Sequence, residues 1–441
     1  IIKDQTGEPV IGANVVLKGD NGTGTITDIN GRYSLDVPEN AVLIISYIGY
    51  TSIEIPVKGQ SEIDVTLKED SQAIEEVVVV GYGTQKKVNL VGAVAAVNID
   101  EKISSRSISN VSSGLSGLVP GLQVSQTTSM AGNDNASLMI RGMGTVNNTS
   151  PLVVVDGMPD VDINRINMAD VESISVLKDA SATAVYGVRG ANGVILVQTK
   201  RGKLGKPTVN VHFEQSFTQP TKLPQYIGSA EYLTLLNEIA KDNGQQQSPY
   251  SQETIDHYIN RTDPDLYPDV NWMDLITKDF AMNQRADITV NGGSDILRYA
   301  VVGSYYGEQG IFERDKSQSW NSGTHLNKFN LRSNVDINIT KTTQLTVSVG
   351  GYLQEMNKMA ISSDDAFSGA FETPPFIHPA YYKEDDNIYF PVVNQRVNPY
   401  VQVTQKGYAT TSQSKIESLF ALEQDLKFIT PGLKIKGIFS F

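Results

Sequence analysis

Phe329-Asn330-Leu331-Arg332-Ser333-Asn334-Val335-Asp336-Ile337-Asn338-Ile339 reads apolar and polar almost in strict turn. Successive side chains of a β-strand leave opposite faces. This period of two therefore puts Phe329, Leu331, Val335, Ile337 and Ile339 on one side, and Asn330, Arg332, Asn334, Asp336 and Asn338 on the other. The length is close to the ten or so residues that a tilted strand needs to cross a bilayer. The same period starts at Val209, Val211 and Phe213, set against Asn210, His212 and Glu214. It recurs at 285–291, 297–306, 344–354, 415–426 and 433–441, so the pattern predicts about seven strands.

The connections between these strands alternate in length. They are long at 218–283, short at 292–295, long at 307–327, short at 341–343, long at 355–413 and short at 430–432. A soluble sandwich has no reason to alternate so strictly, whereas outer-membrane barrels have tight periplasmic turns and large outer loops. On this reading the first strand rises from the periplasmic side and the long loops face outward. Seven strands cannot close around a globular stopper, for which about 22 are expected. The chain, which opens on Ile1 and ends on Phe441 inside strand-like runs, therefore reads as the N-terminal portion of a longer polypeptide.

Composition is compatible with this reading without requiring it. A chain of 441 residues, 40% hydrophobic and with 37 glycines, suits two to four turn-rich domains, and a soluble mosaic of β modules would fit as well. The net charge of −13 argues against nucleic acid as a partner, because phosphate contacts need a basic surface. Cysteine is absent, which excludes disulfides and thiolate metal sites. No run of about 18 apolar residues occurs, so a transmembrane helix is excluded while a barrel is not.

Upstream of the strands the chain divides into three further regions. Residues 1–68 alternate turn signals, at Gly7-Glu8-Pro9, Gly19-Asp20-Asn21-Gly22 and Asn30-Gly31, with short runs at 13–17, 33–37, 42–47 and 63–67. That spacing predicts a small β-sandwich. Asp28 and Asn30 invite a calcium-loop reading, but no Glu closes the loop, and a hairpin turn needing Asn-Gly is the preferred reading. Residues 69–83 form a linker around SQAIEEVVVVGYGTQKK (71–87), in which four valines stand between two acids and a Gly-Tyr-Gly hinge. An exposed strand of this kind is a handle for pairing with the edge of another protein's sheet, although an ordinary buried strand is equally compatible.

Residues 84–205 carry mixed α/β signals. Ile103–Leu118 reads as a helix stopped at Val119-Pro120-Gly121, Leu138–Arg141 and Leu152–Asp156 as strands, Val171–Tyr186 as a second helix, and Val194–Thr199 as a strand. Among the charges here Arg141, Asp156, Lys178 and Arg189 stand out. They could contact substrate, form an ionic lock, or hold loops of this domain to the inner wall of the barrel. The last is preferred because buried charges are normally paired.

Taken together these motifs resemble the SusC-type TonB-dependent outer-membrane transporters, and the resemblance covers essentially the whole chain. GEPVIGANVVLKG (7–19), TDINGRYSLDVP (27–38) and SYIGY (46–50) look like the carboxypeptidase-regulatory-like domain that precedes the plug in that family. Glu75-Glu76-Val77-Val78-Val79-Val80-Gly81-Tyr82-Gly83 resembles its TonB box. LMIRGMGTVNNTSPLVVVDGMP (138–159) and DVESISVLKDASATAVYGVRGANGVILVQTKRGK (170–203) resemble its plug domain, and 206–441 the first part of its barrel. The resemblance implies a mainly β protein that imports oligomers, glycans first and peptides second, across the outer membrane. It also implies TonB with its ExbB–ExbD energy supply as one partner, a SusD-like surface lipoprotein as another, contact with outer-membrane lipid, and a dimer of transporter–lid pairs. The leading domain and TonB box would lie in the periplasm. Two alternatives stand beside this: a siderophore- or cobalamin-type receptor, against which residues 1–68 count, and a nontransporting adhesin built of β modules.

Signals for catalysis are weak. The histidines at 212, 257, 325 and 378 are scattered, and no HExxH occurs. The segment 202–208 fails as a phosphate loop because Lys stands at position 200 and Pro207 would break the helix start. Gly81-Tyr82-Gly83 lacks the third glycine of a dinucleotide fold. The pairs Asp364-Asp365 and Asp385-Asp386 fall in long loops and read as solvated. No enzyme activity, cofactor or metal is expected, and Asp263, Asp265 and Asp269 are only a weak hard-cation candidate. The loop aromatics Trp320, Tyr381, Tyr382, Tyr389, Phe390 and Tyr400 could stack on sugar rings or dock a partner, as readily as pack the loops themselves.

Overall fold

The computed structural model describes residues 1–4, 7–18, 20–47, 50, 52–67, 77–80, 83–86, 94–98, 108–145, 147–385, 387–391 and 397–441. They fall into two compact units, Ile1–Leu90 and Val91–Phe441.

In the first unit β1 (Ile2–Lys3) and β6 (Val65–Thr66) pair in parallel. Beside them β2 (Asn14–Leu17), β3 (Asp20–Ile26), β4 (Val42–Ser46) and β5 (Ile53–Pro56) make an antiparallel sheet in the order β3-β2-β4-β5. Their inward positions, Val15, Leu43 and Ile45, join Ile2, Ala13, Val65 and Leu67 in one core. Two expectations are corrected here. Residues 33–37 form no strand, although Tyr33, Leu35 and Val37 pack against the core, and of the turn expected at 19–22, residues 20–22 are instead the start of β3, while Gly19 lies outside the described residues. The Asp28 loop is a capped turn: Asp28 Oδ1 accepts from the N–H groups of Asn30 at 2.9 Å and Arg32 at 2.8 Å. These hydrogen bonds, Arg32's foremost, hold the carboxyl below its usual range. Gly31 sits at φ +69°, and a Cβ there would lie 2.4 Å from the Ile2 carbonyl oxygen, so this turn has room for glycine only.

Also in this unit, β7 (Val77–Val80) folds back on β8 (Gly83–Lys86) as an antiparallel pair, Val77 opposite Lys86. Glu75, Glu76, Gly81 and Tyr82 lie outside the described residues.

The second unit opens with the α/β domain that reads as a plug. Its strands are β9 (Val94–Asn98), β10 (Leu122–Ser125), β11 (Ser137–Ile140), β12 (Leu152–Val155), β13 (Met158–Pro159), β14 (Val171–Leu177) and β15 (Val194–Thr199). Five of them form a mixed sheet in the order β13-β12-β15-β14-β9, with β9 on the edge, and β10 pairs separately with β11. Val171, Ile174, Val176, Ile195 and Val197 pack with Val111, Leu115 and Ile140 as the core of this domain. The expected helix over 171–186 is a strand to Leu177, followed by short helical turns at 180–183 and 184–190. Lying between β15 and β9, β14 is buried along most of its length, and β-branched Val171, Ile174 and Val176 favour the strand. Of the expected helix over 103–118, residues 103–107 lie outside the described residues and only the turn Val111–Gly114 is helical in the rest. Ser112, Ser113, Gly114 and Gly117 make that segment a poor helix former.

Beyond the plug runs a seven-stranded antiparallel sheet, β16 (Gly205–Thr218), β17 (Ala281–Gly293), β18 (Leu297–Gln309), β19 (His325–Asn338), β20 (Thr343–Met359), β23 (Tyr408–Asp425) and β24 (Lys434–Ser440), paired in chain order; the small hairpin β21 (Tyr382–Glu384) and β22 (Asn387–Tyr389) lies in the loop between β20 and β23. The alternation holds in space. Val209, Leu331 and Phe439 are 60%, 60% and 64% exposed on the apolar face, while Arg332, Asn334 and Ser348 are buried on the other, polar one.

Where the plug runs into β16 the two backbones nearly touch. A Cβ on Gly202 would lie 2.1 Å from the backbone nitrogen of Tyr299 in β18. Gly202→Ala in the full-length protein should therefore force the plug exit off the wall and expose it to protease, whereas Gly144→Ala, in open space, should not. Equal protection of the two variants in a limited-proteolysis time course would contradict the close approach.

Candidate functional site: the plug–wall interface and the outer loops

The polar face of β19 meets the plug residue by residue. Asn330 Nδ2 donates to the Arg165 carbonyl at 3.3 Å, Arg332 Nε pairs with Asp170 Oδ2 at 3.3 Å, and Asn334 Nδ2 donates to Thr199 Oγ1 at 2.7 Å and to the Lys200 carbonyl at 2.8 Å. Next along, Asp336 accepts an ion pair from Arg201, which also reaches Asp156, both at 3.6 Å. Neighbouring strands add to this row. Asn167 donates to Ser304 Oγ in β18 and to Asp287 Oδ1 in β17, Arg285 donates to the Ile108 carbonyl, and Asn291 both donates to the Arg201 carbonyl and accepts from Lys203 N–H. At the loop end Glu308 Oε2 accepts from Gly132 N–H at 3.2 Å.

Asp170–Arg332 is the most deeply buried ion pair of the set, with side chains 3% and 9% exposed. Burial pushes the Asp170 carboxyl up to about 6, against the pull of the Arg332 guanidinium. Oδ1 of Asp170 finds no hydrogen-bond donor among the described residues. A pair in this state does not maximise stability; it fixes where the plug sits, because Arg332 supplies the main compensation for the carboxylate, with a lesser pull from Lys200.

At the loop end of the sheet the long connections build an ordered layer. Helices at Ser229–Asp242, Gln252–Asn260 and Ser363–Glu372 fold there, the last two capped by Ser251 on Thr254 N–H and Ser362 on Asp365 N–H. Ala366 and Ala370 of the last helix join Trp272, Met273, Ile276, Phe312, Met359 and Val403 in one core, against which Met130 of the plug packs. A cavity of about 410 Å³ lies where the plug tip, Met130–Asn133, faces Phe312, Met356 and Met359.

Of the four plug charges singled out by sequence, Asp156 reaches the wall, through Arg201; its oxygens also accept from Thr199 N–H and Oγ1. Arg141 pairs with Asp179, Lys178 donates to the Pro120 carbonyl, and Arg189 pairs with Asp160, all inside the plug. Tyr381 and Phe390 both pack on Tyr400, with ring centroids at 5.6 and 6.2 Å, while Trp320 stacks on Tyr408 at 6.0 Å. Tyr382 and Tyr389 face each other across the β21–β22 hairpin. Asp263 caps its own turn through Asp265 and Leu266 N–H, and Asp269 accepts from Ser229 N–H, so the loop acids serve separate turns. Among the described residues Val77–Val80 pairs only with β8, which leaves its other edge unshared. Sequence reading missed Asp170, Asn167, Arg332 and Asn334 as plug anchors; the only signal for them was their polar side of an alternating strand or their place just before one.

Comparisons with known proteins match this arrangement. The CarboxypepD_reg-like domain matches residues 1–79, and the TonB-dependent receptor plug domain matches residues 86–194. TonB-dependent receptor SusC of Bacteroides thetaiotaomicron is 33% identical over 397 residues, 87% of this chain and 36% of that protein. TonB-dependent receptor P26 of Formosa agariphila is 34% identical over 358 residues, 80% of this chain and 34% of that one. The chain thus spans about a third of the length of these curated relatives. In fold it is similar to the RagAB peptide importer in its open-open state, with a TM-score of 0.63 at 22% identity over 82% of this chain and 41% of that one.

Two outcomes follow from the buried pair. Arg332→Ala leaves an uncompensated carboxylate and should loosen plug docking by about 3–5 kcal/mol, read as faster hydrogen exchange over 165–200. The docked Asp170 carboxyl holds its proton more tightly than a solvated one does. Its contribution therefore favours docking fully below the usual 3.8 and is lost as pH rises through about 6. Asp170→Asn should flatten that part of the pH profile of plug protection, and an unchanged profile would assign the dependence elsewhere.

Proposed function

The chain belongs to the SusC-type TonB-dependent receptors, and from that premise we propose that its protein imports oligomeric nutrients across the outer membrane by energy-coupled displacement of the plug. The observation that carries this reading is a globular domain hydrogen-bonded to the polar face of an antiparallel sheet whose other face is exposed and apolar. A sheet of that kind suits a bilayer outside and a wet lumen inside. In this mechanism a ligand bound among the outer loops releases the stretch from Glu75 to Gly83 into the periplasm. There TonB adds a strand along the unshared edge of Val77–Val80, and force from ExbB–ExbD reaches the plug.

Glycans are the leading substrate class, since stacked rings such as Trp320–Tyr408 and the Tyr381–Tyr400–Phe390 group offer apolar faces beside polar loop groups. Peptides, the cargo of the RagAB importer, are the second class. A SusD-like lipoprotein covering the outer loops, and a dimer of such pairs, complete the proposal.

Deleting residues 75–80 from the full-length protein should abolish growth on the cognate oligomer while binding at the cell surface survives. Uptake that persists in the deletion strain would rule out coupling through this segment. Release of the protein into aqueous buffer without detergent would rule out the membrane location itself.

A further inference from the structure

Arg332 lies directly opposite Gly350 of β20, and Gly350 in turn lies opposite Glu417 of β23. Gly350 is buried on the polar face. A glycine inside a strand weakens it, and marks a bulge, a positive φ or a close approach. The first two reasons do not hold here, since the register runs through residue 350 without a shift in either pairing and its φ is not among the positive ones. The third does. A Cβ on Gly350 would lie 3.0 Å from Nη2 of Arg332, 3.2 Å from Cζ and 3.5 Å from Nη1, so all three nearest atoms belong to one guanidinium. The next residue, Gly351, faces the other way, and a Cβ there would meet only the Leu331 carbonyl oxygen, at 3.8 Å.

Gly350 thus leaves a notch in the wall, and the planar end of Arg332 occupies it while Nε pairs with Asp170 Oδ2 at 3.3 Å. The guanidinium has nowhere else to lie. On the flank away from β20, its opposite number in β18 is Val302, itself 3% exposed. Beside the notch is a cavity of about 20 Å³, bordered by Arg165, Asp170, Tyr352 and the Lys415–Glu417 ion pair. That is room for about one water molecule and not for a displaced guanidinium.

We propose that Gly350 is a positioning residue for the plug: by leaving the wall bare beside Arg332 it aims the guanidinium at Asp170, and so sets the seat from which the plug is displaced. It acts through Arg332. The other charges felt by Asp170 are Asp287 of β17, which repels it, and Lys200 after β15, whose pull is weaker than that of Arg332. A side chain at 350 would push the guanidinium aside and leave the carboxylate buried without its main compensation. Protonating the carboxyl removes that charge, so a seating defect of this origin is present at neutral pH and fades in acid. The inference rests on the reading of the plug as a displaceable domain; exchange on purified protein reports seating without transport, so the two can fail separately.

Gly350→Val places a good strand former in β20 while its methyl groups take the place of the guanidinium. In purified full-length protein, hydrogen exchange over 165–200 should run roughly ten-fold faster than in the wild type at neutral pH. At about pH 5, where Asp170 holds its proton, it should return towards the wild-type rate measured at the same pH. Gly351→Val, the same change on the outward face, should match the wild type at both pH values. Combining Gly350→Val with Arg332→Lys should restore protection, because an ammonium is a single atom that can turn to Asp170 and needs no notch. Wild-type exchange in Gly350→Val, or equally fast exchange in Gly351→Val, would overturn the assignment. So would a defect that persists in acid, or one that Arg332→Lys does not relieve.

Discussion

A strand with an apolar face turned outward has only its other face for hydrogen bonding, and everything polar on that inner face must find a partner or water. In this protein β19 meets the constraint through the plug. Asn330, Arg332, Asn334 and Asp336 each engage a plug group, so one strand's inward row serves as the docking strip for a whole domain. Because that strip is built mainly of single hydrogen bonds and ion pairs, it specifies position without the binding energy of a packed apolar interface. A seat of this kind is compatible with a domain that has to stay put at rest and yet be displaced.

The arrangement divides labour between the two ends of the sheet. Towards the short turns the plug backbone is held by Asn334, Asn291 and the contact at Gly202. Towards the long loops its tip meets Met130's apolar neighbours and a cavity. The first end is tightly hydrogen-bonded and the second is roomier and softer, with methionines that accommodate varied shapes.

Much of the wall was legible in sequence because period-two alternation over many residues leaves little choice of register or face. Every strand but β24 nevertheless extends beyond its sequence boundary at one end or both, as where β18 runs to Gln309 and β19 begins at His325, since polar outward residues such as Gln284 and Asn327 interrupt the alternation. The plug was harder to read. Val171–Leu177 lost its period by being enclosed in mid-sheet, and the helical turns that follow it drew the whole segment towards a helix. The anchors could not be picked out at all. Asn334 and Asn338 look alike in sequence, yet one bonds the plug and the other bonds the Asp295 carbonyl in the adjoining turn. Arg332 meets an aspartate 162 residues away, a relation fixed by the fold as a whole.

The backbone crossing at Gly202 has a mechanical corollary. A chain pinned where it leaves a domain, with β9 on the outer margin of that domain's sheet near its beginning, behaves as a lever with its fulcrum at one end. Travel is greatest far from the fulcrum and vanishes beside it. Any swing of the domain about that point would therefore open a gap on the side remote from residues 200–205.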